Sequence, residues 1–242
     1  GWDRENKLSN VILINGCFES LHMFCGFEEA LVNIMTDEEA SSDFMGAIAD
    51  YKIALIERIA KYYKPDMLQF HDDYSTNTGL FMPTDKWQRI IKPHLQRVID
   101  AVKGLGMIYQ HHSCGKIHDL IPELVDMGID ALNPVQIQNN PLEIKQQFGD
   151  HLTVCGGFNN QAVLDNPSAT AEQIKDSINE TLNIMAPGGK WVALCGFLDR
   201  FPEREQIWLN CLDEYNRPLM EKAGVTPVKH TAASNNVYNL AN

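Results

Sequence analysis

The chain has 242 residues, enough for one large α/β domain or two small ones. Hydrophobic residues make up 44% and charged residues 21%, as in a soluble globular protein, and no apolar run reaches the roughly 18 residues of a membrane span. The net charge of −12 disfavours a polyanionic partner such as nucleic acid, because the two would repel each other.

Short apolar runs alternate with helical stretches along the whole chain. Strands are predicted at Val11–Asn15, Met67–His71, Met107–His112, Ala131–Val135, Leu152–Cys155 and Trp191–Cys195. Apolar residues at spacings of three and four predict helices over 44–63, 84–103, 117–127, 141–148, 170–185 and 203–222. This alternation predicts a parallel sheet with helices outside it.

The segment 1–230 contains no linker and is predicted to form a single domain, followed by a small, polar tail over 231–242. A closed α/β barrel has about eight strands, so six strands indicate an incomplete barrel. An open doubly wound sheet stays possible on the strand count alone.

The first residues lack the charged-then-apolar pattern of a signal peptide, which favours a cytoplasmic location. In such a compartment the six cysteines are expected to be thiols or metal ligands rather than disulfides.

His112 and Cys114 form a His-x-Cys step at the end of the third predicted strand. Side chains two positions apart on a strand share a face, so these two should converge while His111 points toward the helix layer. Zinc binds imidazole nitrogen and thiolate sulfur. The step therefore predicts two ligands of one zinc ion.

Two other predicted strands end in a cysteine followed by glycine, at Cys155 and Cys195. Glycine lets another group approach the backbone closely, so either thiol could complete the zinc site. The alternative is that they are buried structural residues, as we expect for Cys25 and Cys211.

Polar side chains also end the second predicted strand. Gln69, His71 and Asp73 share one face, and Asp72 lies on the other. Polar groups that face a barrel interior are costly unless they are hydrogen-bonded or functional. We expect Asp73 and His71 to act as acid, base or substrate anchor, with Asp72 in reserve; a helix cap or a loop aspartate is the alternative.

The side chains of Asn133 and Gln136 are expected to line the same mouth and to help bind a cofactor. Another polar group, Cys17, Glu19 and His22, follows the first predicted strand.

These features resemble the uroporphyrinogen decarboxylase superfamily and, within it, the cobamide-dependent methyltransferases. The resemblance rests on His112-Ser113-Cys114-Gly115, on the strand that ends Phe70-His71-Asp72-Asp73, and on the distant Cys195, 81 residues after Cys114. It implies a (β/α)8 TIM barrel in which Val11-Ile12-Leu13-Ile14 is the third strand, so that six of the eight strands are present. It also implies that His112, Cys114 and Cys195 bind zinc.

The chain departs from the family pattern in two respects. The distal cysteine lies in Ala193-Leu194-Cys195-Gly196, where the family usually has Pro-Gly-Cys-Gly. The decarboxylases proper place arginines and a catalytic aspartate in the N-terminal part that the resemblance implies is absent from this chain.

The resemblance implies zinc-dependent methyl transfer between a small methylated substrate or thiol and a corrinoid (cobalamin) carried by a partner protein. One alternative is decarboxylation of a porphyrinogen, which the seven arginines of the chain disfavour because that substrate carries many carboxylates. Another is a non-catalytic barrel fragment that binds a metal or a partner. An open sheet edge would favour association into a homo-oligomer, and no membrane or nucleic-acid partner is expected.

Overall fold

The structure is a computed structural model that describes residues 4–5, 7–194, 201–227 and 229–230. Its six strands form one sheet, in which each strand neighbours the next in chain order. The strands are β1 (Asn10–Leu13), β2 (Met67–His71), β3 (Ile108–His112), β4 (Ala131–Val135), β5 (Thr153–Gly156) and β6 (Trp191–Val192).

The first four strands pair in parallel, with His71 opposite His112 and His112 opposite Asn133. Parallel neighbours in sequence order, with helices between them, are the arrangement of a (β/α) barrel. The predicted α/β barrel type is therefore confirmed, and so are its six strands in the described part of the chain.

Helices connect the strands. They are α1 (Cys17–Cys25), α2 (Phe27–Thr36), α3 (Glu38–Tyr62), α4 (Thr84–Ile90), α5 (Lys92–Gly104), α6 (Ile121–Asp126), α7 (Pro141–Phe148), α8 (Ala171–Met185) and α9 (Pro202–Lys222). None of the helices in the described ranges is long and apolar enough to cross a bilayer.

The segment between β1 and β2 holds more helix than the sequence pattern predicted, because α1 and α2 precede α3. Gly26 separates α1 from α2 with φ = 91°, a conformation that side chains with a Cβ disfavour. Asp37 then begins α3 by accepting a hydrogen bond from the Ala40 N–H at 3.1 Å. These short helices are too brief for a clear apolar period.

The predicted helix over 84–103 is two helices, α4 and α5, which meet at Ile91. Pro93 explains the break, because it has no N–H to donate and its ring clashes with the carbonyl four residues earlier.

The chain forms two compact units, residues 1–155 and 156–242. In the first, the outward faces of the strands supply buried apolar side chains such as Leu68, Phe70 and Tyr109. In the second, Phe158, Ile178, Leu182 and Trp208 belong to one core cluster. The single domain over 1–230 stays a prediction, and the tail over 231–242 lies outside the described residues.

Candidate metal and catalytic site

The site lies where β2 and β3 end side by side. The two strands are paired in register, with Gln69 opposite Gln110 and His71 opposite His112. Because side chains alternate along each strand, these four share one face of the sheet. In barrels of this type that end of the strands carries the chemistry.

His112 and Cys114 come together as the His-x-Cys step predicted. His112 Nε2 lies 3.4 Å from Cys114 Sγ, and both side chains are partly buried. Two ligands of one tetrahedral zinc lie within roughly 4 Å of each other. The separation of the two atoms satisfies this limit, and the role of the pair as zinc ligands stays a prediction.

Asp73 is held against the same pair. Its Oδ1 accepts a hydrogen bond from the backbone N–H of Cys114 at 2.7 Å and lies 4.0 Å from His112 Nε2. The carboxylate thus fixes the loop that carries the thiol and also faces the imidazole.

His71 adds a second imidazole. Its Nδ1 lies 3.0 Å from Glu19 Oε2, and because a carboxylate can only accept, Nδ1 carries the hydrogen. Donor atoms of His71, Asp73 and His112 all lie within 4.8 Å of one another.

The two imidazoles are stacked, with ring centroids 3.8 Å apart and planes inclined by 18°. An imidazole binds a metal in the plane of its ring, so stacked rings direct their lone pairs side by side rather than at one point. Simultaneous binding of one ion by His71 and His112 would require one ring to rotate. The stacking treats the two rings alike, and the ligand role of His112 stays a prediction.

Burial and charge act differently on the side chains of His112 and Cys114. Burial, with a contribution from His71, lowers the pKa of His112 to about 3, so the ring is neutral and keeps a lone pair for a metal. Burial raises the pKa of Cys114 to about 12, and Asp73 adds to the effect. A bound cation acts in the opposite direction, because thiols bind metals as thiolates.

The acid–base groups are shifted as well. Burial raises the pKa of Asp73. Burial alone would lower the pKa of His71, but its hydrogen bond to Glu19 outweighs this and raises it. Burial alone would raise the pKa of Glu19, but its hydrogen bond to His71 outweighs this and lowers it. Shifted pKa values in one cluster are typical of functional sites.

Asn133 and Gln136, the two residues predicted to bind a cofactor, each make a hydrogen bond within the protein at the site. Asn133 Nδ2 donates to Gln69 Oε1 at 3.1 Å, and the Gln136 side chain accepts from the N–H of Gly115. Their role toward a cofactor stays a prediction.

Cys155 and Cys195 are the two further cysteines predicted as ligands. Cys155 is buried, and its Sγ accepts a hydrogen bond from Gln110 Nε2 at 3.3 Å. His71, Asp73 and His112 are the group of described residues that could hold a metal ion, and neither Cys155 nor Cys114 belongs to it. Cys195 lies outside the described residues. Ligand roles for both stay predictions.

Asp72 points to the opposite face and caps α1. It accepts hydrogen bonds from the N–H groups of Phe18 (3.1 Å) and Glu19 (2.9 Å) and from the Tyr74 hydroxyl (2.9 Å). A Cβ on Gly16 would come within 2.4 Å of Asp72, so this close approach requires glycine. Burial raises the pKa of Asp72 to about 7. Its reserve catalytic role stays a prediction.

His111 also lies on that opposite face. It is fully buried, stacked on Tyr74, with its Nδ1 3.2 Å from the Tyr109 hydroxyl. Burial lowers its pKa to about 3. This neutral ring belongs to the layer between sheet and helices.

The prediction of catalytic and metal residues from sequence did not include Glu19 or Gln69, which contact the two imidazoles. Glu19 follows β1 as a polar residue in the sequence. Its position in the first turn of α1, a helix that the sequence pattern did not predict, brings it to His71. Gln69 shares the two-residue period of His71 and Asp73, and that period was the available signal.

Comparisons with known proteins bear on the family and the fold. The family model described as Uroporphyrinogen decarboxylase (URO-D) matches residues 13–197. A search of curated proteins found no match. A solved structure, a methyltransferase from Methanosarcina mazei, is similar with a TM-score of 0.66 and 15% sequence identity. The similarity covers 83% of this chain and 57% of that one, so this chain spans little more than half of that protein's length.

The match of the family model covers most of the chain and includes both strands that build the site. The superfamily resemblance predicted from the sequence is confirmed: the chain belongs to the uroporphyrinogen decarboxylase (URO-D) family.

Proposed function

We propose that this protein is a zinc-dependent methyltransferase that moves a methyl group between a small methylated substrate or thiol and a corrinoid protein. The observation that carries the proposal is the 3.4 Å approach of His112 Nε2 to Cys114 Sγ at the end of β3. Family membership and the likeness of fold to the Methanosarcina mazei methyltransferase support it.

The donor set suits zinc. The neutral imidazole of His112 ends β3, and the thiol of Cys114 lies on the loop that follows. Zinc prefers nitrogen and sulfur ligands of this kind, whereas magnesium and calcium prefer oxygen ligands. His112 and Cys114 would bind the ion, with Cys195 proposed as the third ligand and Cys155 as its substitute. When bound, zinc supplies a Lewis acid that lowers the pKa of a coordinated thiol and favours its thiolate.

The chain's own acid–base groups would act beside that ion. Asp73 keeps part of its carboxylate accessible, with 30% of the side chain exposed, while Oδ1 is fixed by the Cys114 N–H. His71 presents its second nitrogen, Nε2, because Glu19 occupies Nδ1. Each could deliver a proton to a leaving group or remove one from an incoming thiol.

The methyl acceptor or donor on the other side would be a corrinoid carried by a partner protein. Asn133 and Gln136 are proposed to lie near it. Association of the chain with a further copy of itself is also part of the proposal.

Porphyrinogen decarboxylation is less well supported by the site. That reaction needs cations for several carboxylates, and among the described residues no arginine hydrogen bonds to His71, Asp73, His112 or Cys114. Arg89, for example, binds the carboxylate of Glu38 on the helical layer.

The test combines metal analysis with a transfer assay. Purified protein should contain zinc and catalyse methyl transfer between methylcobalamin and a small thiol, and Cys114→Ala should lose both. Zinc content unchanged in that variant would exclude Cys114 as a ligand. If the protein binds zinc but transfers no methyl group to or from a corrinoid, the proposed metal site stands and the methyltransferase proposal is overturned.

A further inference from the structure

Two buried amide side chains connect three strands beneath His112. Gln69 on β2 places its Nε2 3.3 Å from His112 Nδ1, and Asn133 on β4 donates from Nδ2 to Gln69 Oε1 at 3.1 Å. Gln69 is 7% exposed and Asn133 is 6% exposed. The chain of contacts therefore runs from Asn133 through Gln69 to the ring nitrogen that faces away from Cys114.

Sheet register fixes this arrangement. Asn133 is paired with His112 across β3 and β4, and Gln69 lies one inward-facing position before His71 on β2. All three are on strands, so the amides have little freedom except rotation of their own ends. In this orientation Asn133 Oδ1 is buried with no hydrogen-bond partner among the described residues. A half-turn of that amide would leave Nδ2 in the same place without a partner, so the choice of orientation needs another reason.

The protonation pattern of imidazole supplies one. His112 Nε2 faces Cys114 Sγ, so it is the nitrogen that a shared ion would bind. A neutral imidazole that binds a metal through Nε2 carries its hydrogen on Nδ1. That N–H needs an acceptor, and the amide nitrogen of Gln69, which has no lone pair to offer, cannot serve.

A half-turn of each amide resolves the conflict. Gln69 would then present Oε1 to His112 Nδ1–H and Nε2 to Asn133, and Asn133 would accept through Oδ1. Each orientation contains two hydrogen bonds, with donors and acceptors exchanged. Their count does not choose between them, so ligation of His112 can decide.

We propose that Gln69, held in turn by Asn133, is a positioning residue for His112. Its amide oxygen fixes the Nδ1–H tautomer and thereby directs Nε2 to the ion shared with Cys114. This inference rests on the proposed metal site. Metal-bound histidines commonly donate their second N–H to an acceptor of this kind, and loss of such a partner typically lowers metal affinity about 10–100-fold.

The experiment measures zinc affinity in four variants and the tautomer of His112 in the wild type. Gln69→Leu removes the acceptor at similar volume and should lower zinc affinity about 10–100-fold. Gln69→Glu offers only acceptor oxygens and should restore affinity to near the wild-type value. Nitrogen-15 NMR of the zinc-loaded wild type should show His112 protonated on Nδ1 and ligated through Nε2.

Gln110→Leu is the matched control. Gln110 is opposite Gln69 in register and equally buried, but its amide contacts Cys155 rather than His112. Because Cys155 is proposed as a substitute ligand, Cys155→Ala is measured beside it, and Gln110→Leu should bind zinc as tightly as Cys155→Ala does. Equal losses in the two leucine variants would overturn the proposal, because disturbed packing would then explain both.

The outcomes separate this inference from the function on which it rests. If the wild-type protein fails to bind zinc, the metal site itself is wrong and both proposals fall. If zinc binds in a Cys114-dependent way but Gln69→Leu binds it equally well, only the role of Gln69 is wrong. Should Gln69→Leu fail to fold, a hydrogen on Nε2 of His112 in the zinc-loaded wild type would overturn the proposal by itself.

Discussion

Neighbouring residues at or just after the ends of β2 and β3 lie in opposite environments. Asp72 and His111 are completely buried on the side of the helices. Asp73 and His112, one position further along, keep 30% and 16% of their side chains exposed at the strand ends. The two faces carry the same residue types within the same few residues of chain.

What differs is the kind of partner. Both oxygens of Asp72 accept hydrogen bonds from α1 or Tyr74, so its contacts are those of a structural cap. Asp73 and His112 instead contact each other and the neighbouring Cys114, which are themselves groups that could bind an ion or exchange a proton. Residue type alone therefore does not separate a structural carboxylate from a reactive one.

The largest expected effect is the loss of activity when Asp73, on the exposed face, is replaced by asparagine. The amide can keep Oδ1 against the Cys114 N–H, so the free energy of unfolding should change by less than about 1 kcal/mol. Loss of an acid–base group should lower methyl-transfer kcat/KM about 10²–10⁴-fold. Steady-state transfer assays and urea unfolding check the two halves, and full activity would remove Asp73 from the mechanism.

The second expected effect concerns the stability that the protein gains when zinc binds. At a free zinc concentration about 100 times Kd, the wild-type protein should gain about 2.7 kcal/mol of stability, which a chelator abolishes. Cys114→Ala should lose this gain, because the ion would lose a ligand. Unfolding curves with and without zinc measure it.

Cys25→Ala is the control for that measurement. Cys25 is also a partly exposed thiol, but it lies on α1 and bonds to the Leu21 carbonyl. It should keep the whole zinc response. Identical responses of the two variants would show that zinc binds elsewhere.

The smallest effect is expected on the buried face. Asp72→Asn directs an amide nitrogen at donors of α1 or at the Tyr74 hydroxyl, which should cost about 1–3 kcal/mol of unfolding free energy. Zinc affinity should not change. Urea unfolding and zinc titration test this pair of statements; a variant of normal stability without activity would instead make Asp72 a catalytic residue.

Much of the barrel could be predicted from the sequence because its signals are local. The apolar runs at Met67–His71 and Ala131–Val135 have the bounds found in the structure. Where short helices lack a full apolar period, as in α1 and α2, the sequence pattern did not predict them. Pro93 was visible in the sequence, yet its effect of dividing one predicted helix in two was not foreseen.

The sequence by itself determined that His112 and Cys114 share a face, because the two-residue period of a strand is a local property. The same period placed Gln69, His71 and Asp73 together. Only the tertiary structure decided which partners they meet: Glu19 reaches His71 from α1, and Asn133 reaches Gln69 from β4. Those contacts join residues more than 50 positions apart. Strand pairing and the entry angle of a helix bring them within hydrogen-bonding distance, and no local sequence pattern encodes either of these.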